Sequence, residues 1–153
     1  MSSVLKVSLI VIGLIVFAGI AIYFYLYNKL DGLQETATDK DYEITFNDIN
    51  DTVFIKASSW GLTGDHIQIQ VSSFPMINRS YDSTKNYIFY EPTIYYEQKQ
   101  DTLIIYTPSL SDVPSTMNTS VKIRQVQING PEEINKYKEH YKSLGLNRVS
   151  VYD

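Results

Sequence analysis

HIQIQVSS, residues 66–73, decides the fold. Ile67, Ile69 and Val71 fall on one side of an extended chain, and Gln68 and Gln70 on the other. That is the two-residue period of a strand with one face in a core and the other in water. The reading therefore expects Ile67, Ile69 and Val71 to be buried and Gln68 and Gln70 to be exposed. Just before it, TVFIKASS (52–59) places Val53, Ile55 and Ala57 on one face, and EITF (43–46) is a shorter strand. WGLTGD (60–65), with glycines at 61 and 64, suits a hairpin loop between the two longer strands.

Downstream, NYIFY (86–90) and TIYYEQ (93–98) read as strands separated by Glu91-Pro92, where proline forces a bend or a sheet edge. A tight turn at Lys99-Gln100 leads into DTLIIYT (101–107). Stretches 74–85 and 108–118 are loops. In VKIRQVQI (121–128), Val121 and Ile123 are in phase, as are Val126 and Ile128, but the pairs are out of step by one. A β-bulge near Arg124-Gln125 would repair that register. Asn129-Gly130-Pro131 then opens a helix, with Glu132 and Glu133 at the positive end of its dipole. Ile134, Tyr137, Tyr141 and Leu144 share one helical face, and Gly145 closes the helix. NRVSVY (147–152) is a last strand.

The N-terminal part differs in kind. Val7–Tyr27, VSLIVIGLIVFAGIAIYFYLY, runs 21 residues without a charge. About 20 apolar helical residues cross a bilayer. Lys6 on one side, and Tyr23, Tyr25, Tyr27 and Lys29 on the other, are the flanks such a helix carries. A cleavable signal peptide fits less well: the apolar run is too long and no A-x-A triplet follows it. The expected organisation is a membrane anchor with a short tail over 1–29, a polar linker over 30–41, and a β-rich domain over 42–153. A short tail before the span and a long domain after it are the layout of a signal anchor, so the N-terminus is expected in the cytoplasm and the domain outside it. The expected fold class is mainly β: an N-terminal transmembrane helix, then a small antiparallel β-sandwich or curved sheet with one C-terminal α-helix.

Composition narrows the function. With 13 basic and 17 acidic residues the net charge is −4, so nucleic acid is a poor partner. Zero cysteines exclude disulfides, cysteine-ligated zinc, iron–sulfur clusters and thiol nucleophiles. The 13 tyrosines suit strands with wet faces, since the ring packs while the hydroxyl stays hydrated. No cofactor is expected. Neither a phosphate-binding glycine loop, nor G-x-S-x-G, nor H-E-x-x-H occurs.

The candidate site is the 60–66 loop. It brings the single tryptophan, Trp60, beside Thr63, Asp65 and His66. Neighbouring residues on a strand face opposite ways, so Asp65 and His66 pair only if the loop bends them. A purely structural turn explains the glycines equally well. His140, within KYKEHYK, reads as a solvent-facing helix residue, and with His66 it has no visible third metal ligand. The run from Asp48 to Thr52 spaces oxygen ligands closely but lacks the glycine and the distant glutamate of an EF-hand. The expected function is therefore non-enzymatic. The domain would bind or scaffold another membrane or envelope protein while the span contacts the lipid bilayer. The alternative is an anchored hydrolase or ligand sensor working through the 60–66 loop.

Overall fold

The computed structural model describes residues 16–26, 38–61, 64–76 and 81–152. It divides into two units, 1–36 and 37–153. In the first, residues 16–26 are helical (α1), and every one of them is exposed. Residues 7–15 and 27 of the expected span lie outside the described residues. Among the described residues, no helix is long and apolar enough to cross a membrane.

The second unit is mainly β. Its eight strands are β1 (Thr38–Phe46), β2 (Asp51–Trp60), β3 (His66–Ser72), β4 (Tyr87–Phe89), β5 (Thr93–Lys99), β6 (Thr102–Thr107), β7 (Lys122–Gln127) and β8 (Asn147–Ser150), and helix α2 (Gly130–His140) precedes the last. They form two four-stranded sheets, β1-β2-β3-β4 and β7-β6-β5-β8. Tight connections set the hairpins. Asn50 (φ 48°) and Gln100 (φ 51°) take left-handed backbone in the β1–β2 and β5–β6 turns, a conformation that asparagine tolerates better than most residues.

The inward faces are those the alternation predicts. Ala57 pairs with Ile69 and Ile55 with Val71 across β2 and β3. These four join Phe46, Phe89, Ile94, Leu103, Ile105 and Val149 in one buried cluster drawn from both sheets. The sheets are thus the two layers of a sandwich with a shared core.

Four details depart from the sequence reading. First, the sandwich is not wholly antiparallel: β6 and β7 pair in parallel. Parallel neighbours need a long crossover, and residues 108–121 supply it. The Ser111 hydroxyl accepts the Ile88 N–H of edge strand β4 at 2.8 Å, and its backbone exchanges hydrogen bonds with the Gln125 side chain at 2.8 and 3.0 Å. The crossover therefore closes the β4/β7 side of the sandwich.

Second, β7 contains no bulge. Its register against β6 runs unbroken from Thr102↔Lys122 to Thr107↔Gln127. The change of phase is a change of core: Val121 and Ile123 pack between the sheets, whereas Ile128 packs with Tyr95 and Leu146 in a second cluster.

Third, Gln68 and Gln70 are buried (0 % and 1 % exposed) on the outer face of the first sheet, beside Lys56 and Ser58. The chain leaving β3 lies against this face at both ends of β2. Pro75 and Met76 line a cavity of about 340 Å³ with Phe54 and Tyr42, and Tyr81 meets Trp60 edge to face.

Fourth, β1 begins at Thr38, inside the expected linker. Its early residues are polar yet held: Lys56, 4 % exposed at its side chain, lies 3.0 Å from Asp41 and 3.7 Å from Asp39. On the inward side, Lys40 Nζ donates to the Ser150 and Val151 carbonyls at 3.5 Å and ties β1 to the end of β8.

Helix α2 begins as expected, with proline in its first turn and Glu133 accepting the Asn129 N–H at 2.7 Å. Past the helix the chain turns at Gly145 (φ 74°), where the Leu146 N–H returns to the Tyr141 carbonyl at 2.9 Å. This is the six-to-one bond of a glycine-closed helix end. The expected apolar face is only partly covered. Tyr137 and Tyr141 pack on Tyr95, but Ile134 and Leu144 remain 37 % and 41 % exposed.

Candidate functional site

The β2–β3 connection places Trp60 opposite His66 as the last cross-strand pair. Their rings stack at 5.8 Å with 24° between planes, and Tyr81 meets Trp60 edge-on at 6.4 Å. Gly61 (φ 99°) and Gly64 (φ 68°) carry the left-handed backbone of the loop. Asp65 and His66 are exposed and both approach Gly61: a Cβ built there would stand 3.1 Å from Asp65 Oδ1 and 2.9 Å from His66 Cδ2. Thr63 lies outside the described residues. The loop therefore presents a three-ring aromatic cluster with a carboxylate beside it, at the tip of a hairpin.

The other charged constellations have structural partners. Asp51 is hydrogen-bonded to protein groups through both carboxylate oxygens. Its Oδ1 accepts the Thr52 N–H at 2.7 Å, and its Oδ2 accepts the Thr119 hydroxyl at 2.8 Å and the Ser120 N–H at 2.7 Å. The Thr119 hydroxyl, and then the Ser120 N–H, hold this carboxyl below the usual aspartate range. His140 is exposed on α2, as expected, with Glu139 3.9 Å away. Among the described residues no group of three histidine or acidic side chains could hold a metal ion.

The outer face of the second sheet carries what the sequence reading missed. Tyr95 and Tyr106 from the sheet, with Tyr137 and Tyr141 from the helix, pack as tilted ring pairs at centroid distances of 5.4 to 5.8 Å. The Tyr106 hydroxyl donates to Glu97 at 2.6 Å. Burial, and then the neighbouring Glu97 carboxylate, push this phenol up to about 12, while the same bond and Lys99 lower Glu97. On the β8 side of the helix the face is left open. A groove of about 530 Å³ lies there, lined by Pro92, Tyr95, Ile128, Ile134 and Tyr152, with Glu91, Lys138 and Arg148 also lining it. Arg148 lies over the Tyr141 ring at 5.3 Å. These residues are scattered from 91 to 152, so no local motif could have announced them.

No family model, curated protein or solved structure matches the chain.

Proposed function

We propose that this is a single-span membrane protein whose β-sandwich lies on the extracytoplasmic side and binds or scaffolds another protein of a membrane or envelope complex. The uncharged run 7–27 carries the reading. Residues 16–26 of it are helical, and apolar or aromatic side chains from Val16 to Leu26 are half exposed or more all round. A helix apolar on every side needs a nonpolar surrounding, and a bilayer provides one. The separate compact unit behind it, with Tyr81, Tyr90 and Tyr152 each 65 % exposed, supports a binding role, since tyrosine is enriched in protein interfaces. A ligand sensor working through Trp60, Thr63, Asp65 and His66 is the second reading, favoured by the Trp60–His66–Tyr81 ring cluster.

Alkaline carbonate extraction of membranes tests the anchor. The full chain is expected to stay in the pellet, whereas a chain with Leu14, Val16 and Ile20 all replaced by lysine is expected in the supernatant. Release of the unaltered chain would end the proposal. Protease added to the outer side of the sealed membrane that holds the anchor should remove the domain; full protection there would reverse the orientation.

A further inference from the structure

We propose that the groove between α2 and β8 binds a small organic anion with an apolar body, of the carboxylate or sulfonate class. Ligand sites are concave and mostly apolar, with a few polar groups that fix orientation, and run from about 300 to 1,000 Å³; this groove, at about 530 Å³, falls in that range. Its floor is Tyr95 and Ile128, both buried, while Ile134 and Tyr152 stand partly in water at 37 % and 65 % exposure. A bound apolar body would cover them and remove that surface from water.

The polar side of the groove selects charge. Lys138 and Arg148 face it against the single acid Glu91, in a chain whose net charge is −4, so the local excess of cations is not a general property of the surface. Arg148 is laid against the Tyr141 ring, and stacking of this kind pre-orients a guanidinium, whose fork matches two oxygens of one anion. The groove exists because of how the helix docks. Tyr137 and Tyr141 rest on Tyr95 and Tyr106, leaving Pro92 and, past the end of β8, Tyr152 exposed. The proposal rests on this groove alone, so its failure leaves the anchor and the protein-binding reading untouched.

Calorimetric titration of the full chain in phosphatidylcholine nanodiscs with 2-naphthalenesulfonate, against empty nanodiscs, tests it. One saturable site per chain is expected. Lys138→Glu, an exposed helix position, should weaken it several-fold, and Arg148→Gln about tenfold or more. The neutral analogue 2-naphthalenemethanol should also bind about tenfold more weakly. Circular dichroism of both variants should match the unaltered chain. If Arg148→Gln unfolds, the Lys138→Glu variant and the neutral analogue decide. Absence of saturable binding, or equal affinity for the neutral analogue and in the folded variants, would overturn the proposal. Self-association of the chain that the same substitutions abolish would overturn it too, by making the groove a contact between copies.

Discussion

The Ser120 N–H donates to Asp51 Oδ2 at 2.7 Å, joining the β1–β2 turn to the end of the crossover that delivers β7, 69 residues later. The same oxygen accepts the Thr119 hydroxyl. One carboxylate thus fixes where the parallel strand enters its sheet, and it couples that register to pH.

Asp51→Ala is expected to cost about 1–3 kcal/mol, because it leaves an N–H and a hydroxyl without their charged acceptor. The pH dependence has a definite sign. Hydrogen bonds lower the folded-state pKa of Asp51, so its contribution is present above the unfolded value of about 3.9 and is lost as pH falls through the folded one. The stability gap between the unaltered chain and Asp51→Asn should therefore be widest near neutrality and shrink below about pH 4. Urea unfolding of both at pH 7 and pH 3 checks this, and a constant gap would refute the linkage.

The outer face of the first sheet gives a second test. Gln70 Nε2 donates to Gln68 Oε1 at 2.8 Å with both side chains buried. Gln68→Asp is expected to cost about 2 kcal/mol or more, by placing a charge where water is excluded and removing that acceptor geometry. Ile69→Asp, on the opposite, inter-sheet face, should cost several kcal/mol for the same reason. Glu43→Gln, at an exposed β1 position, should stay within about 0.5 kcal/mol. Thermal melts that place Gln68→Asp with Glu43→Gln would mean that the outer face is wet in solution.

At the β2–β3 loop, Gly61→Ala should destabilise for two separable reasons. The backbone at φ 99° disfavours any side chain, and the new Cβ would meet His66 Cδ2 at 2.9 Å. Together these are worth about 1–3 kcal/mol. Made in a His66→Ala background, the same change loses the ring contact and keeps the backbone strain and the 3.1 Å approach to Asp65 Oδ1, so its cost should fall. Identical costs in the two backgrounds would show that the ring does not crowd Gly61.

The strands and the inter-sheet core were legible because they depend on local alternation. Ile55, Ala57, Ile69 and Val71 carry their burial in their spacing. The outer face was not legible: alternation separates two faces without saying whether the polar one is covered, and Gln68, polar and on that face, is buried. At β7 the phase change was visible, but its cause was not. A bulge repairs one face, whereas Val121 and Ile128 serve two different clusters on opposite sides of an unbroken strand. The parallel pairing of β6 with β7 is a non-local choice that no window of sequence records. Trp60 and His66 lie together because the hairpin pairs them across its last register position. The groove beside α2 was invisible, because it depends on how far the helix extends over the second sheet.

The tyrosine layer also has an optical consequence. Trp60 is the single tryptophan and belongs to the outer face of the first sheet, whereas Tyr95, Tyr106, Tyr137 and Tyr141 pack on the outer face of the second. Indole emission therefore reports on the hairpin tip. The packed phenols, absorbing at shorter wavelength and held in a chiral arrangement, dominate the near-ultraviolet dichroism of the helix side. Loosening of α2 would dim one signal and leave the other unchanged, so the two layers of the sandwich can be followed separately in one sample without any label.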